Sequence, residues 1–419
     1  MLRVAYAALW IFVFSLPWEG VIVLPGISII PRVTGGVALS LALLAIGISG
    51  RFRRWHAFHV AALLFVFWAG CVLLAFDLPE IPAKFWTFVQ LLVVVWLIWE
   101  LAPSRERQLG LLAAYVFGAY FAAFDTLMVY RREAGLSRRF AAGGADPNDL
   151  AMTLALALPM AWFLAMTYRK PLQQWVFRGY LLVGLVALGL TGSRGGMIAS
   201  AVGLLIIPLT VTRLSPVRRA TAMVLLSVSL VVAAVNTPDT LIQRLASTGT
   251  EVEEADLGGR FRIWVAGVNA FAQNPLLGYG TSSFKKAVRP WGVGQVAHNS
   301  FLSVLVEQGL VGFVLYMAMF VTVFLSVLKL PTLERRFALV LLATVGIAML
   351  PLTWEDRKAV WFVLAALLGL SQAWITRPGE GARQPPPFQP AAVTARPRAA
   401  RPRAWARAPG RIDAGNAKT

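Results

Sequence analysis

The sequence predicts an all-helical protein that crosses a membrane about twelve times, and three observations carry that expectation. Of its 419 residues, 58% are hydrophobic and only 14% charged, where a soluble domain carries roughly a quarter. The apolar residues come in blocks rather than in alternation, and mean hydropathy is +0.67. The basic residues gather in the short connections between blocks. Backbone groups in lipid must be satisfied within their own helix, so a block of about 20 apolar residues reads as a span.

The spans fall near residues 4–24, 34–50, 57–76, 83–101, 108–130, 149–167, 177–193, 195–212, 220–236, 310–329, 336–352 and 358–376. The first has no small-residue cleavage site after it and reads as a retained span, not a removed signal. Residues 1–376 form one membrane domain with no inserted soluble domain and no internal repeat. Cys71 is the only cysteine and lies in an apolar run, which excludes an intrachain disulfide or a thiolate metal site.

Orientation follows from the basic connections. With the N-terminus inside, the cytoplasmic turns carry Arg51, Arg53 and Arg54, then Arg105 and Arg107, then Arg169, Lys170 and Arg178. Arg213, Arg218 and Arg219 follow, then Lys329, Arg335 and Arg336. That is the bias expected of an inner-membrane protein with both termini in the cytoplasm. The net charge of +19 is therefore spread over turns and tail, which argues against nucleic acid as a partner and for membrane lipids. The tail over 377–419 is rich in Pro, Arg and Ala, with seven arginines beyond Pro378. Such a composition cannot bury a core and predicts disorder, with arginines available to anionic lipid heads.

Two outer segments break the charge rule. Residues 131–148 carry Arg131, Arg132, Arg138 and Arg139, and the long loop over 237–298 carries Arg260, Arg262, Lys285 and Lys286. Positive charge on that face is explained by an anionic ligand or by incidental surface charge. Within the long loop, Phe261, Trp264, Val265, Val268 and Phe271 recur at helical spacing before an Asn274–Pro275 stop. Arginine suits a diphosphate because its planar fork makes paired hydrogen bonds and keeps its charge.

His298 closes the long loop at the start of a helix, where the imidazole is held neutral. It reads as a general base or as an interfacial cap. His56 and His59 follow a cytoplasmic arginine cluster and read as interfacial. Arg194, in "TGSRGGMIAS", has almost no loop around it. It lies at the outer membrane boundary, compensated by an anion or snorkelling to lipid phosphate. Gly195 and Gly196 leave the backbone there open to a ligand. The acidic run Glu251, Glu253, Glu254 and Asp256 reads as a solvated face or a divalent-metal site. Asp146, Asn148 and Asp149 read as capping the span that follows them.

Together these segments resemble the O-antigen ligase and polymerase superfamily over residues 140–350. "HNSFLSVLVEQGLVGF" is similar to the ligase pattern, with His298, Asn299, Gly309 and Gly312 in its fixed places. "SRGGMI" resembles the family's Arg-x-x-x-Leu, with Ile198 in place of leucine. "GRFRIW…NPLLGYG" matches at Arg260, Trp264, Pro275, Gly278 and Gly280, and "DPND" is similar to a short motif before a middle span. The resemblance implies a GT-C-like, metal-independent, inverting glycosyltransferase without a cofactor, with its active site at the periplasmic face. The donor is then a glycan on undecaprenyl diphosphate and the acceptor a sugar of lipid A–core oligosaccharide, in lipopolysaccharide biosynthesis. It further implies that Arg194 and Arg260 hold the diphosphate and His298 activates the acceptor hydroxyl. Arg262, Asn299, Arg138, Arg139, Lys285 and Lys286 are the candidate substrate-binding residues beside them. The rival readings are an O-antigen polymerase, a protein O-oligosaccharyltransferase and, from another class, a transporter or flippase. A transporter predicts interrupted helices with polar residues at the midplane, whereas these spans are largely apolar there, Asp125 excepted.

Overall fold

The computed structural model describes residues 1–19, 30–50, 52–75, 81–133, 139–235 and 259–376. Among them the chain is all-helical. The helices are α1 (Leu2–Ser15), α2 (Ile30–Ser49), α3 (Ala57–Ala75), α4 (Ala83–Leu101), α5 (Arg105–Glu133), α6 (Pro147–Thr167) and α7 (Pro171–Thr191). Then come α8 (Arg194–Leu204), α9 (Ile206–Thr210), α10 (Pro216–Val235), α11 (Arg260–Gln273), α12 (Phe284–Ala287), α13 (Ser300–Val327), α14 (Thr332–Met349) and α15 (Lys358–Ile375). Each apolar run read from the sequence lands on a helix. Nine stretches among the described residues are long and apolar enough to cross a membrane, fewer than the twelve expected. The first helix, with the short 3-10 turn after it, stops at Trp18. Helix α14 opens on Glu334, Arg335 and Arg336, so its apolar length falls short.

Helix α6 is the central post: 83% of it is buried, against 17% of α2, which faces outward. It packs on α5, α7, α8 and α14. Small residues let the backbones approach, as membrane helix contacts require. A Cβ on Gly196 would lie 2.4 Å from the Ala151 Cβ of α6. Gly195 would likewise press on Met152 and Pro351. These glycines are therefore used for helix packing, not left open to a ligand as their sequence suggested.

Polar pairs separate to the two ends of the bundle. One end holds Arg105 against Glu334 at 2.9 Å, and the backbone N–H of Arg53 donating to Glu100 at 3.1 Å. The other holds Lys358 against Glu19 at 2.7 Å and Arg357 against Asp149 at 2.5 Å. The starts of α4, α6, α8, α13 and α15 meet at this second end.

Helix α13 breaks at Gly309, whose backbone is φ 64°, ψ −171°. Four groups freed by the break find partners, as burial demands. The Val306 carbonyl accepts from Tyr279 N–H at 3.0 Å, and the Glu307 carbonyl from Gly280 N–H at 2.8 Å. The Gln308 carbonyl accepts from the Trp68 indole at 2.9 Å. Leu310 N–H donates to the Pro275 carbonyl at 2.8 Å. The "NPLLGYG" segment thus replaces one missing turn of helix. Only glycine fits here: a Cβ on Gly309 would lie 2.1 Å from the Leu276 oxygen, and one on Gly278 2.5 Å from Gly309 N.

Residues 259–299 carry a small core of their own, in which Ile263, Ala266, Ala270, Phe284, Val288 and Ala297 pack against Val306 of α13. Helix α11 forms where the spacing places it and is capped at Asn274. Its apolar residues divide between two faces. Trp264 and Phe271 border the small core, while Phe261, Val265 and Val268 are exposed. The acidic run, Arg51, the tail and residues 237–258 of the long loop lie outside the described residues.

Candidate functional site

The site forms around the start of α13. Asn299 is its N-cap, with Oδ1 accepting from Leu302 N–H at 3.0 Å. The helix therefore opens at Ser300, and His298 sits two residues before it in a left-handed conformation, φ 44°. That conformation costs a residue with a Cβ about 1–2 kcal/mol, so local contacts must hold it. His298 N–H donates to Thr353 Oγ1 at 3.2 Å. Ser300 fixes the same loop twice: its hydroxyl donates to the Leu352 carbonyl at 2.8 Å and accepts from Trp354 N–H at 2.7 Å. Residues 352–354 and the start of α13 are thereby one unit, and the backbone that carries the imidazole is fixed by it.

His298 is half-buried, and burial lowers its pKa below the usual 6.5. The neighbouring Arg260 charge lowers it further, while Asp146 and Asp149 pull it upward. The balance keeps the imidazole neutral near pH 7, ready to accept a proton. Arg260, at the first position of α11, and the carboxylates opening α6 are thus both close enough to His298 to act on its charge.

Arg194 occupies the first position of α8, whose N-cap Ser193 accepts from Gly196 N–H. The Ser193 hydroxyl donates to Asn148 Oδ1 at 3.1 Å, tying α8 to the start of α6. Pro351 lies against Gly195, and Thr353 holds His298. One short loop therefore borders both the Arg194 turn and the histidine.

The other candidates separate by position. Arg139 is enlisted in the scaffold: Nε donates to the Thr191 carbonyl and Nη2 to Asn148, both at 2.8 Å. Asp146 caps α6, accepting from Asn148 and Asp149 N–H. Arg262 is exposed beside Gly292. Lys285 and Lys286 are exposed on α12. Arg138 lies outside the described residues. His59 and Asp125 are occupied far from His298 in the chain, His59 Nδ1 accepting from His56 N–H and Asp125 from Gly143 N–H at 2.8 Å.

Sequence reasoning missed a buried charge cluster under the site. Lys84 of α4 bonds Glu307 of α13 at 2.8 Å and also pairs with Glu355. Glu307 in turn accepts from Ser282 N–H at 3.0 Å and Phe284 N–H at 3.4 Å. Ser303 donates to Glu355 at 2.6 Å. Burial pushes the Glu355 carboxyl above its usual range, against the pull of Lys84. This cluster joins α4, α13, the 350–357 loop and the segment holding α12. The signal was present, since a charge inside an apolar run is itself a pointer. Asp149, read from the sequence as capping α6, also accepts from the Trp354 indole at 2.9 Å and pairs with Arg357, partners the sequence did not show.

The arrangement offers a neutral base with Arg260, Asp146 and Asp149 acting on its charge, and Arg194 across the same short loop, all at one end of a membrane bundle. A family model described as O-antigen ligase matches residues 179–317. That stretch includes Arg194, Arg260, His298, Gly309 and Gly312 and ends inside α13. A search of curated proteins finds no match to the chain.

Proposed function

We propose, on the match of an O-antigen ligase family model to residues 179–317, that this chain transfers O-antigen polysaccharide from undecaprenyl diphosphate to a sugar hydroxyl of lipid A–core oligosaccharide. The reaction takes place at the periplasmic face of the inner membrane, with both termini in the cytoplasm. The acceptor oxygen attacks the anomeric carbon from the side opposite the diphosphate, so configuration inverts. His298 takes the hydroxyl proton as the new C–O bond forms. The bond to the diphosphate breaks, and Arg194 and Arg260 hold the charge that develops on the leaving group, where fixed cations stabilise most. Arg262, Lys285 and Lys286 extend the positive surface toward the glycan phosphate. Residues 1–376 serve as the membrane domain, and the loop over 237–298 supplies the donor-binding cations other than Arg194.

The observation that carries this reading is the imidazole of His298, held in a strained turn and kept neutral beside Arg260. A helix cap alone has no use for that strain, since Asn299 already does the capping. Reconstitution with purified undecaprenyl-diphosphate glycan tests it, offering rough core lipopolysaccharide or a second donor as acceptor. Transfer to core supports the ligase. Extension of the second donor in its place would make the protein a polymerase, and transfer to neither would refute the proposal. Activity retained in excess EDTA is expected; loss restored by Mg²⁺ would contradict the metal-independent step.

A further inference from the structure

Building on the ligase reading, we infer that a cavity of about 320 Å³ beside the His298 loop is the subsite for the acceptor sugar, and that it selects an uncharged one. The cavity lies between the end of α1, the start of α6 and the start of α15. Its size is at the small end of ligand pockets, about 300–1,000 Å³. It meets the site through Trp354: Thr353 holds His298, and the next residue's indole donates to Asp149 on the cavity wall.

The charges on that wall decide what fits. Glu19, Asp146 and Asp149 oppose Arg357 and Lys358. Asp149 is tied to Arg357 and Glu19 to Lys358, so both cations are already matched. Asp146 is left as the surplus negative charge. Both of its backbone bonds fall on Oδ1, and among the described residues Oδ2 is left to accept a sugar hydroxyl. A diphosphate entering here would meet net negative charge, which excludes the donor's leaving group. A phosphorylated or acidic sugar would be rejected for the same reason. Hydroxyls of a neutral sugar can donate to the carboxylates and accept from Arg357, with the reacting hydroxyl directed toward His298.

The test is two-substrate kinetics on the full-length reconstituted protein. The donor is undecaprenyl-diphosphate glycan, and the acceptors are core oligosaccharide lipids whose terminal sugar is neutral or phosphorylated. Ala145→Leu and Ala359→Leu, which narrow the cavity, should raise the acceptor KM roughly ten-fold or more. Donor KM and donor binding should stay within about two-fold. Asp146→Asn keeps the helix cap, since asparagine caps as well as aspartate. It should narrow the preference for the neutral acceptor by allowing the phosphorylated one. Folding is read separately as the unfolding midpoint in detergent, and the near-isosteric Asp146→Asn carries the test if a leucine variant does not fold. Unchanged acceptor KM in folded leucine variants, or donor affinity lost in step with it, overturns the subsite. So does a wild type indifferent to acceptor charge, or an Asp146→Asn that leaves the preference intact. A wild type that transfers to no core acceptor takes both the ligase reading and this inference with it. Cavity variants that behave as wild type, with transfer intact, remove this inference alone.

Discussion

At the scale of single residues, charge and geometry can be separated. Arg194→Lys and Arg260→Lys keep a positive charge but lose the paired fork. Both should lose most transfer activity and bind donor more weakly, read by titration with labelled donor. Near-normal activity in either would remove that arginine from the diphosphate site. The pH profile reads His298 directly. Its pKa is lowered by burial and by Arg260, so the neutral, active form dominates from below pH 6.5 upward. The rate should therefore rise with pH along a limb lying below the usual histidine value and then stay flat. Arg260→Gln removes a lowering charge and should move that limb up, whereas Asp146→Asn removes a raising one and should move it down. A limb unmoved in both would detach the titration from His298. These three residues were legible in the sequence because each is a polar group stranded where lipid or topology disfavours it. Lys84, Glu307 and Glu355 obey the same rule, but their partners lie more than 200 residues apart for Lys84, a pairing no local pattern displays.

At the scale of elements, the family-like glycines have a mechanical task. Gly309→Ala places a Cβ against the Leu276 carbonyl in a left-handed backbone, where nothing can yield. It should lower the unfolding midpoint and the yield of folded protein, as backbone strain of several kcal/mol does. Gly346→Ala, by contrast, adds its methyl group to open space and should be near neutral. Similar losses in both variants would refute the docking role of the 275–280 segment. Lys84→Ala leaves Glu307 and Glu355 buried together and should cost about 3–5 kcal/mol, seen as a lower detergent unfolding midpoint. An unchanged midpoint would mean that the cluster holds nothing in place. Helix α11 shows where sequence periodicity runs out. Its boundaries were legible from the arginine start and the Asn274–Pro275 stop. Its inward face was not, because a membrane protein can turn an apolar stripe either to its own core or to lipid, and the sequence pattern is the same.

At the scale of the whole molecule, the fold class was legible because lipid leaves the backbone one economical solution for each apolar block. The number of spans was less so: charged residues at the start of α14 and the short first helix blur the length criterion that separates a span from a buried helix. Topology is checked by labelling in a Cys71→Ser background. Gln295→Cys, on the exposed loop before His298, should react with an impermeant thiol reagent in whole cells, and Ala408→Cys in the tail should not. The reverse pattern would put the site on the wrong side of the membrane for a periplasmic acceptor. The central claim is that His298 acts in the chemical step and not in holding donor, and reconstituted His298→Ala tests it most directly, with donor binding and glycan transfer measured on the same preparation. Donor affinity should match wild type while transfer falls by about 10²–10⁴-fold; transfer near the wild-type rate, or donor affinity lost as severely as transfer, would contradict the account.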